Sequence, residues 1–304
     1  MKHDCWIFIL VFFLIVGCSK PTERETPTEG NIKVMADPAI TRLSREWVET
    51  FQHLYQYGKI NLTWARETEA FNALLEGKAQ LVILPRTFTP EQKRILGNKR
   101  IFPREVKVAV DAIAVILNLN NPDSFLTLSE ITQILRSNST VWSDIGKQGK
   151  DIPVQPVIDQ AGSSIANFLQ DSVLKGEPLS SSFVAAGSAD KVIEYVANHP
   201  AAIGFIGVNW IASANDSMAL GFLQTIRTAY IQNPVDQKYY LPYQAWIGQL
   251  LYPLRRDIYA LTLESKMGLS TGFLSFMAGD KGQRIVLKSG LMPAQKPVRM
   301  IELQ

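Results

Sequence analysis

Cysteine and histidine are nearly missing from this 304-residue chain, which has two of the former, Cys5 and Cys18, and three of the latter, His3, His53 and His199. Neither His53 nor His199 lies in an HExxH or other ligand-spaced cluster, so the common metal sites are excluded and both read as surface side chains. Cys5 falls in the leader described below, which leaves Cys18 alone and rules out an intramolecular disulfide in any compartment. No GxxxxGK[ST] and no GxGxxG occurs, so neither common nucleotide-binding loop is present. Charge of one sign is equally scarce. Lys+Arg number 31 against 28 Asp+Glu, a formal net charge of +3, and no basic run could track a phosphodiester backbone, so nucleic acid is not an expected partner.

With 46% hydrophobic and 19% charged residues, the chain can bury a core and is neither disordered nor collagen-like. Its length exceeds what one core comfortably fills, so two lobes with a cleft between them are expected. Lys2 and His3 precede the apolar run Trp6–Val16, eleven residues, which is short of the roughly 20 that cross a bilayer as a helix. The run reads as a signal-peptide core over residues 1–17. It ends in Leu14-Ile15-Val16-Gly17-Cys18, which resembles a bacterial lipobox: cleavage after small Gly17 frees a thiol for acylation, and several acyl chains hold a protein on a membrane where one binds weakly. From Ser19 to Gly30 nothing apolar calls for burial, so residues 18–30 read as a solvated, lipidated tether.

Beyond Asn31, extended apolar segments alternate with helical periodicity. Ile32–Ala36 and Ile60–Trp64 read as strands around a helix whose face carries Leu43, Trp47, Phe51 and Leu54, a βαβ opening. Ala79–Leu84 and Val106–Asn118 are further strands. Thr89-Pro90-Glu91-Gln92 and Thr127-Leu128-Ser129-Glu130 are capping boxes that start helices. Ile152–Ile158 is strand-like, with Pro153 and Pro156 restricting it to an edge or a strand end. Helices are expected over Ser164–Leu174, Ala189–Asn198, Tyr243–Leu251, Leu269–Met277 and Lys281–Lys288, and strands over Ala202–Val208 and Ile258–Leu263. This alternation is the signature of α/β lobes.

Two catalytic patterns can be set aside. Gly268-Leu269-Ser270-Thr271-Gly272 fits GxSxG, but a nucleophile elbow needs a later histidine and none follows His199; a helix start explains it. Ser172-Val173-Leu174-Lys175 fits SxxK without the companion motifs. What remains is anion chemistry at loops. Ala161-Gly162-Ser163-Ser164 lies between a strand and a helix, where amides and hydroxyls converge. Arg86 follows a buried strand, and Asp111 interrupts an apolar one, where a carboxylate must find donors or face a cleft.

Taken together, VAVDAIAVILNLNNP (108–122), LTLSEITQILRSNSTVWSDIG (126–146), AIGFIGVNWI (202–211), YPLRRDIYALT (252–262) and GDKGQRIVLKSGLMPA (279–294) resemble the phosphate-binding lipoproteins of bacterial phosphate ABC transporters. The resemblance spans Asn31 to the C-terminus. It implies an α/β class, a two-lobe type II periplasmic-binding-protein fold with a ligand cleft, residues 31–110 and 225–304 forming one lobe and 111–224 the other. It implies ligand groups at Asp37, Arg86, Thr87, Asp111, Gly162, Ser163 and Ser164, with Cys18 lipidated. By the same likeness the chain is a monomeric extracytoplasmic protein that captures inorganic phosphate or a related oxyanion, passes it to a membrane permease, uses no cofactor or metal and catalyses nothing. Departures stand beside it: Pro38-Ala39 and Pro85 occupy positions where the family often has hydroxyls. A hydrogen bond to a charged group contributes about 1.5–3 kcal/mol and micromolar binding needs about 8.2, so two or three lost donors could erase high affinity. The alternative is a surface interaction or sensory module on the same fold that has lost tight anion binding.

Overall fold

The computed structural model describes residues 25–145, 151–212 and 217–295; the signal peptide and Cys18 lie outside them. Strands β1 (Gly30–Ala36), β2 (Gly58–Trp64) and β3 (Leu81–Leu84) are followed by the long β4 (Arg104–Asn118), and β5 (Phe125–Leu126), β6 (Gln155–Ile158), β7 (Val184–Ala185) and β8 (Ala202–Gly207) follow in turn. The last are β9 (Ile226–Thr228), β10 (Tyr230–Gln232), β11 (Tyr239–Tyr240), β12 (Arg255–Thr262) and β13 (Met292–Pro293). The main sheet runs β2-β1-β3-β12-β4-β8-β6-β7, with β9 and β13 also on β4, while β11-β10-β5 form a small second sheet. The class is α/β, as expected.

The principal helices are α1 (Thr41–Leu54), α2 (Glu67–Leu75), α3 (Pro90–Asn98), α4 (Leu128–Arg136), α5 (Ser164–Phe168), α6 (Ala189–Asn198), α7 (Leu269–Ala278) and α8 (Asp280–Lys288). Both capping boxes form: Thr89 and Thr127 each accept the third amide of α3 and α4 while Gln92 and Glu130 reach back to the cap. α1 buries Leu43, Trp47 and Phe51 as its periodicity requires, whereas Leu54 on the last turn is exposed. β1 and β2 are parallel around α1, the expected opening unit.

β4 is the element that organises the rest. Its first part, Arg104–Ala112, pairs antiparallel with β12, and its second part pairs with β8 through Ile113–Leu117 and with β9 through Ile116–Asn118. One strand therefore belongs to both halves of the sheet, and Asp111 lies where its partners change. Segment 226–232 pairs with the second part of β4 and with β5.

Two expectations differ from what is observed. Glu25–Gly30 is not a free tether: a turn joins Thr26 to Glu29, and the Pro27 carbonyl packs on Gly272, where an added Cβ would lie 1.8 Å from that oxygen. The Ser164–Leu174 helix is two pieces, α5 and a π turn over Leu169–Val173, closed by the Leu174 amide on the Leu169 carbonyl. The expectation for β6 is met by its strand-end alternative: β6 lies inside the sheet, and Pro156 is its second residue. The Gln155 amide points to β8, so Pro156 lacks its N–H on the other side, where β7 begins only opposite Val157. Ser270 is a buried residue of the first turn of α7 and donates to Glu264, with no histidine near it in sequence.

Candidate functional site

The carboxyl ends of β1 and β6 face each other. Asp37, the first residue after β1, caps the short turn Pro38–Ile40 and accepts the Ala39 amide at 2.8 Å. On the other side Asp159 follows β6, and Ser163, the cap of α5, donates to Asp159 at 2.6 Å and accepts the Ala166 amide. Ser164 then reaches across and donates to Asp37 Oδ1 at 2.9 Å. Its oxygen accepts Arg256 Nη1 at 2.8 Å, and Arg256 also gives Nε and Nη2 to Asp111 Oδ2, at 3.0 and 2.9 Å. Arg256 stands opposite Asp111 in the antiparallel register of β12 on β4, so the pairing itself puts the two side chains on one face. All four members of this chain, Asp37, Ser164, Arg256 and Asp111, are buried.

Electrostatically the site is crowded with acid. Burial pushes the carboxyls of Asp37, Asp111 and Asp159 above the ordinary range, although Arg256 pulls each of them down and Ser163 and Ser164 hydrogen bonds help at Asp159 and Asp37. Glu67 is raised by burial too, against the pull of Arg86. One oxygen of each of the two deepest carboxylates, Asp37 Oδ2 and Asp111 Oδ1, has no hydrogen-bond partner among the described residues, and the same holds for Asn209 Oδ1 and Trp210 Nε1.

Ser163, Ser164 and Asp159 line a cavity of about 160 Å³ together with Pro38, Ala39, Arg66 and Trp210. Sites for drug-sized ligands run to about 300–1,000 Å³, so this one suits a small solute. Three other hollows are larger, about 730 Å³ beside α2, about 440 Å³ with a mainly apolar lining around Leu220 and Leu241, and about 750 Å³ between Phe51 and Met267. None of the three is lined by Asp159, Ser163 or Ser164, so the smaller cavity is the better candidate.

Of the expected ligand residues, Asp37, Asp111 and Ser164 share one network with Ser163 adjoining it. Arg86 lies outside it. Its guanidinium covers the Phe71 ring at 4.2 Å and sits 3.6 Å from Glu67, with Nε on the Thr87 carbonyl at 3.4 Å. Gly162 is exposed with φ +70° and opens on the larger hollow beside α2. The residue that sequence reasoning missed is Arg256, which supplies the network's cation. Among the described residues no cluster of His, Cys, Asp and Glu could hold a metal ion, and no helix is long and apolar enough to cross a membrane.

Known proteins extend the picture. Phosphate-binding protein PstS of Pseudomonas aeruginosa is 24% identical, with 92% of this chain and 90% of that protein aligned. PstS of Staphylococcus epidermidis is 20% identical over 88% of this chain and 78% of its own length. Among solved structures, a phosphate ABC transporter substrate-binding protein of Clostridium perfringens with bound phosphate superposes with a TM-score of 0.72 at 21% identity, covering 88% of this chain and all of that one (100%). An ABC-type phosphate transport receptor of Vibrio cholerae gives 0.68 at 16% identity, over 87% and 100%. At these identities the superpositions speak for the fold, and the model of the PBP superfamily domain matches residues 21–281. The chain therefore belongs to the PBP superfamily.

Proposed function

We propose that this protein is an extracytoplasmic solute-binding protein that captures inorganic phosphate and delivers it to an ABC permease, held at the membrane through acylated Cys18. The observation that carries the reading is the chain Asp37–Ser164–Arg256–Asp111 beside a cavity sized for a small solute. The relatives named for phosphate binding and the phosphate-bound neighbour support the choice of ligand. In this reading Asp37, Ser163 and Ser164 flank the anion, Arg256 supplies positive potential from behind Ser164, and Asp111 fixes the guanidinium. Arg86 and Gly162 stand apart from this group, Arg86 over Phe71 and Gly162 on the larger hollow beside α2. Capture needs two lobes that close, with residues 31–110 and 225–304 against 111–224 as the working division, except that 226–232 pairs with strands of the second unit. No step makes or breaks a covalent bond.

Calorimetric titration of the full chain in detergent tests this. Phosphate is expected to bind at micromolar concentration or tighter, and Arg256→Ala to weaken it at least a hundredfold. Heat from no oxyanion, arsenate and sulfate included, would overturn the reading in favour of an interaction module. That second reading has one observation of its own: the Ser164 hydroxyl and the Ala39 amide, both candidate anion donors, are already engaged by Asp37.

A further inference from the structure

We propose that the end of the main sheet remote from the small cavity is a membrane-contacting face, seated on the lipid bilayer; this rests on the acylated Cys18 of the reading above. The described chain begins at this end. Glu25–Gly30 is docked at the start of β1: the Gly30 amide donates to the Tyr57 carbonyl, and a Cβ added at Gly268 or Gly272 would meet Glu25 or Pro27. Seven positions separate Cys18 from Glu25, and seven residues span at most about 24 Å when fully extended. Acyl chains on Cys18 therefore keep this end close to the lipid. Asp37 follows the other end of the seven-residue β1, about 23 Å along the strand, which leaves the cavity on the remote side.

The topology gathers exposed apolar side chains there. β1, β2, β3 and β4 all begin at this end and β12 finishes at it, since β12 runs antiparallel to β3 and β4. Tyr57 just before β2, Phe102 just before β4 and Met267 after β12 are 75%, 72% and 77% exposed, among the most exposed large apolar residues described. Met267 also walls the hollow of about 750 Å³ together with Phe51, Tyr55 and Pro27, so the docked segment that leads from the anchor forms part of this apolar face. Exposed apolar residues gathered in one place mark a contact site, and aromatic side chains settle at the membrane–water interface. Charge agrees. Lys59, Lys99, Arg100, Arg104 and Lys266 stand on these loops against Glu25, Glu29 and Glu264, while Lys78 and Lys93 are taken by Glu76 and Glu105. A basic surplus beside apolar loops suits anionic headgroups. The bilayer is the occupant because it is the partner that the anchor holds within reach of this face.

To test this, the full chain, expressed with its leader so that Cys18 is processed, is placed in vesicles of phosphatidylethanolamine and phosphatidylglycerol that carry nitroxide-labelled lipid. With Cys5 removed and Cys18 acylated, a new cysteine is the free thiol. Met267→Cys, Phe102→Cys and, as the control between β10 and β11, Val235→Cys (89% exposed) each take one fluorophore. A face seated about 5–10 Å into the headgroup region brings a label within quenching range. Emission from the labels at 267 and 102 is expected to fall about twofold or more while that at 235 holds steady. Tyr57→Ser, or Lys99→Glu with Arg100→Glu, is expected to remove about half of the quenching at 267. Equal quenching at all three sites, none at 267 and 102 in vesicle-bound protein, or no effect of the Tyr57, Lys99 and Arg100 changes overturns the inference and leaves the anchor and phosphate capture standing. A chain whose intact mass shows no acyl group on Cys18, and which stays free of vesicles, overturns the anchor and the inference together.

Discussion

Removing the Arg256 guanidinium would strand the Asp111 carboxylate in an interior where both side chains are less than 5% exposed, 4% and 0%. Breaking a buried pair from one side costs about 3–5 kcal/mol, more than the intact pair contributes over an apolar replacement. Arg256→Ala is thus expected to lower unfolding stability by about that amount in urea titration, and Asp111→Leu added to Arg256→Met to recover most of it. A mild effect of the single variant would argue against a desolvated pair. The raised carboxyls set a sign for pH. A native pKa above the unfolded one means the folded state holds protons longer, so stability is greatest below the unfolded value and is lost as pH climbs through the native one. Wild-type stability is expected to gain on acidification below neutrality by more than that of Asp111→Asn, compared by urea midpoints; identical profiles would contradict the raised pKa. Asp111 was legible in the sequence because a carboxylate inside an apolar strand must be accounted for. Its partner was not, because Arg256 lies 145 positions away and only the register of β12 on β4 brings them together.

Elements were more legible than contacts. The capping boxes at Thr89 and Thr127 are local chemistry, so four consecutive residues suffice to read them. Thr127→Ala is expected to cost about 1 kcal/mol, visible as a lower Tm. The α5–π junction is different: nothing in the periodicity of residues 164–174 distinguishes a continuous helix from one whose register slips by a residue. The docking of Glu25–Gly30 was hidden as well, since a segment rich in Pro, Thr and Glu reads as solvated until a glycine elsewhere makes room for its backbone. Gly272 is that glycine. Gly272→Ala would set a methyl against the Pro27 carbonyl and is expected to destabilise by about 1–3 kcal/mol, while making the segment before Gly30 quicker to cleave in limited proteolysis. Unchanged cleavage would mean that the segment does not depend on this contact.

At the scale of the whole molecule, polar contacts join the two sides of the cleft, with Arg42 over the Trp210 ring beside them. Besides Ser164 to Asp37 and Arg256 to Ser164, Asn209 Nδ2 donates to the Ala39 carbonyl at 2.8 Å, and Gly207 lies close to the same carbonyl. Asn209→Ala leaves that carbonyl unpaired when the cleft shuts, at about 1–3 kcal/mol. Through the smaller closed population it is expected to weaken phosphate binding about 5- to 100-fold, with little change in Tm; equal affinity would place the closing energy elsewhere. The two lobes could be read from length and alternation, and the strand that serves both halves from the resemblance, which puts the lobe boundary at 110/111 inside Val106–Asn118.

That shared strand restricts how the gene could be rearranged. Because β4 supplies hydrogen-bonding edges to β12 and β13 at one end and to β8 and β9 at the other, no cut between residues 104 and 118 would release two self-sufficient fragments. Each would emerge with a raw sheet margin and a portion of apolar interior open to water. New termini, fusions or inserted reporters belong in surface loops such as the one between α3 and β4, whereas splitting this strand would yield aggregating pieces in place of separable modules.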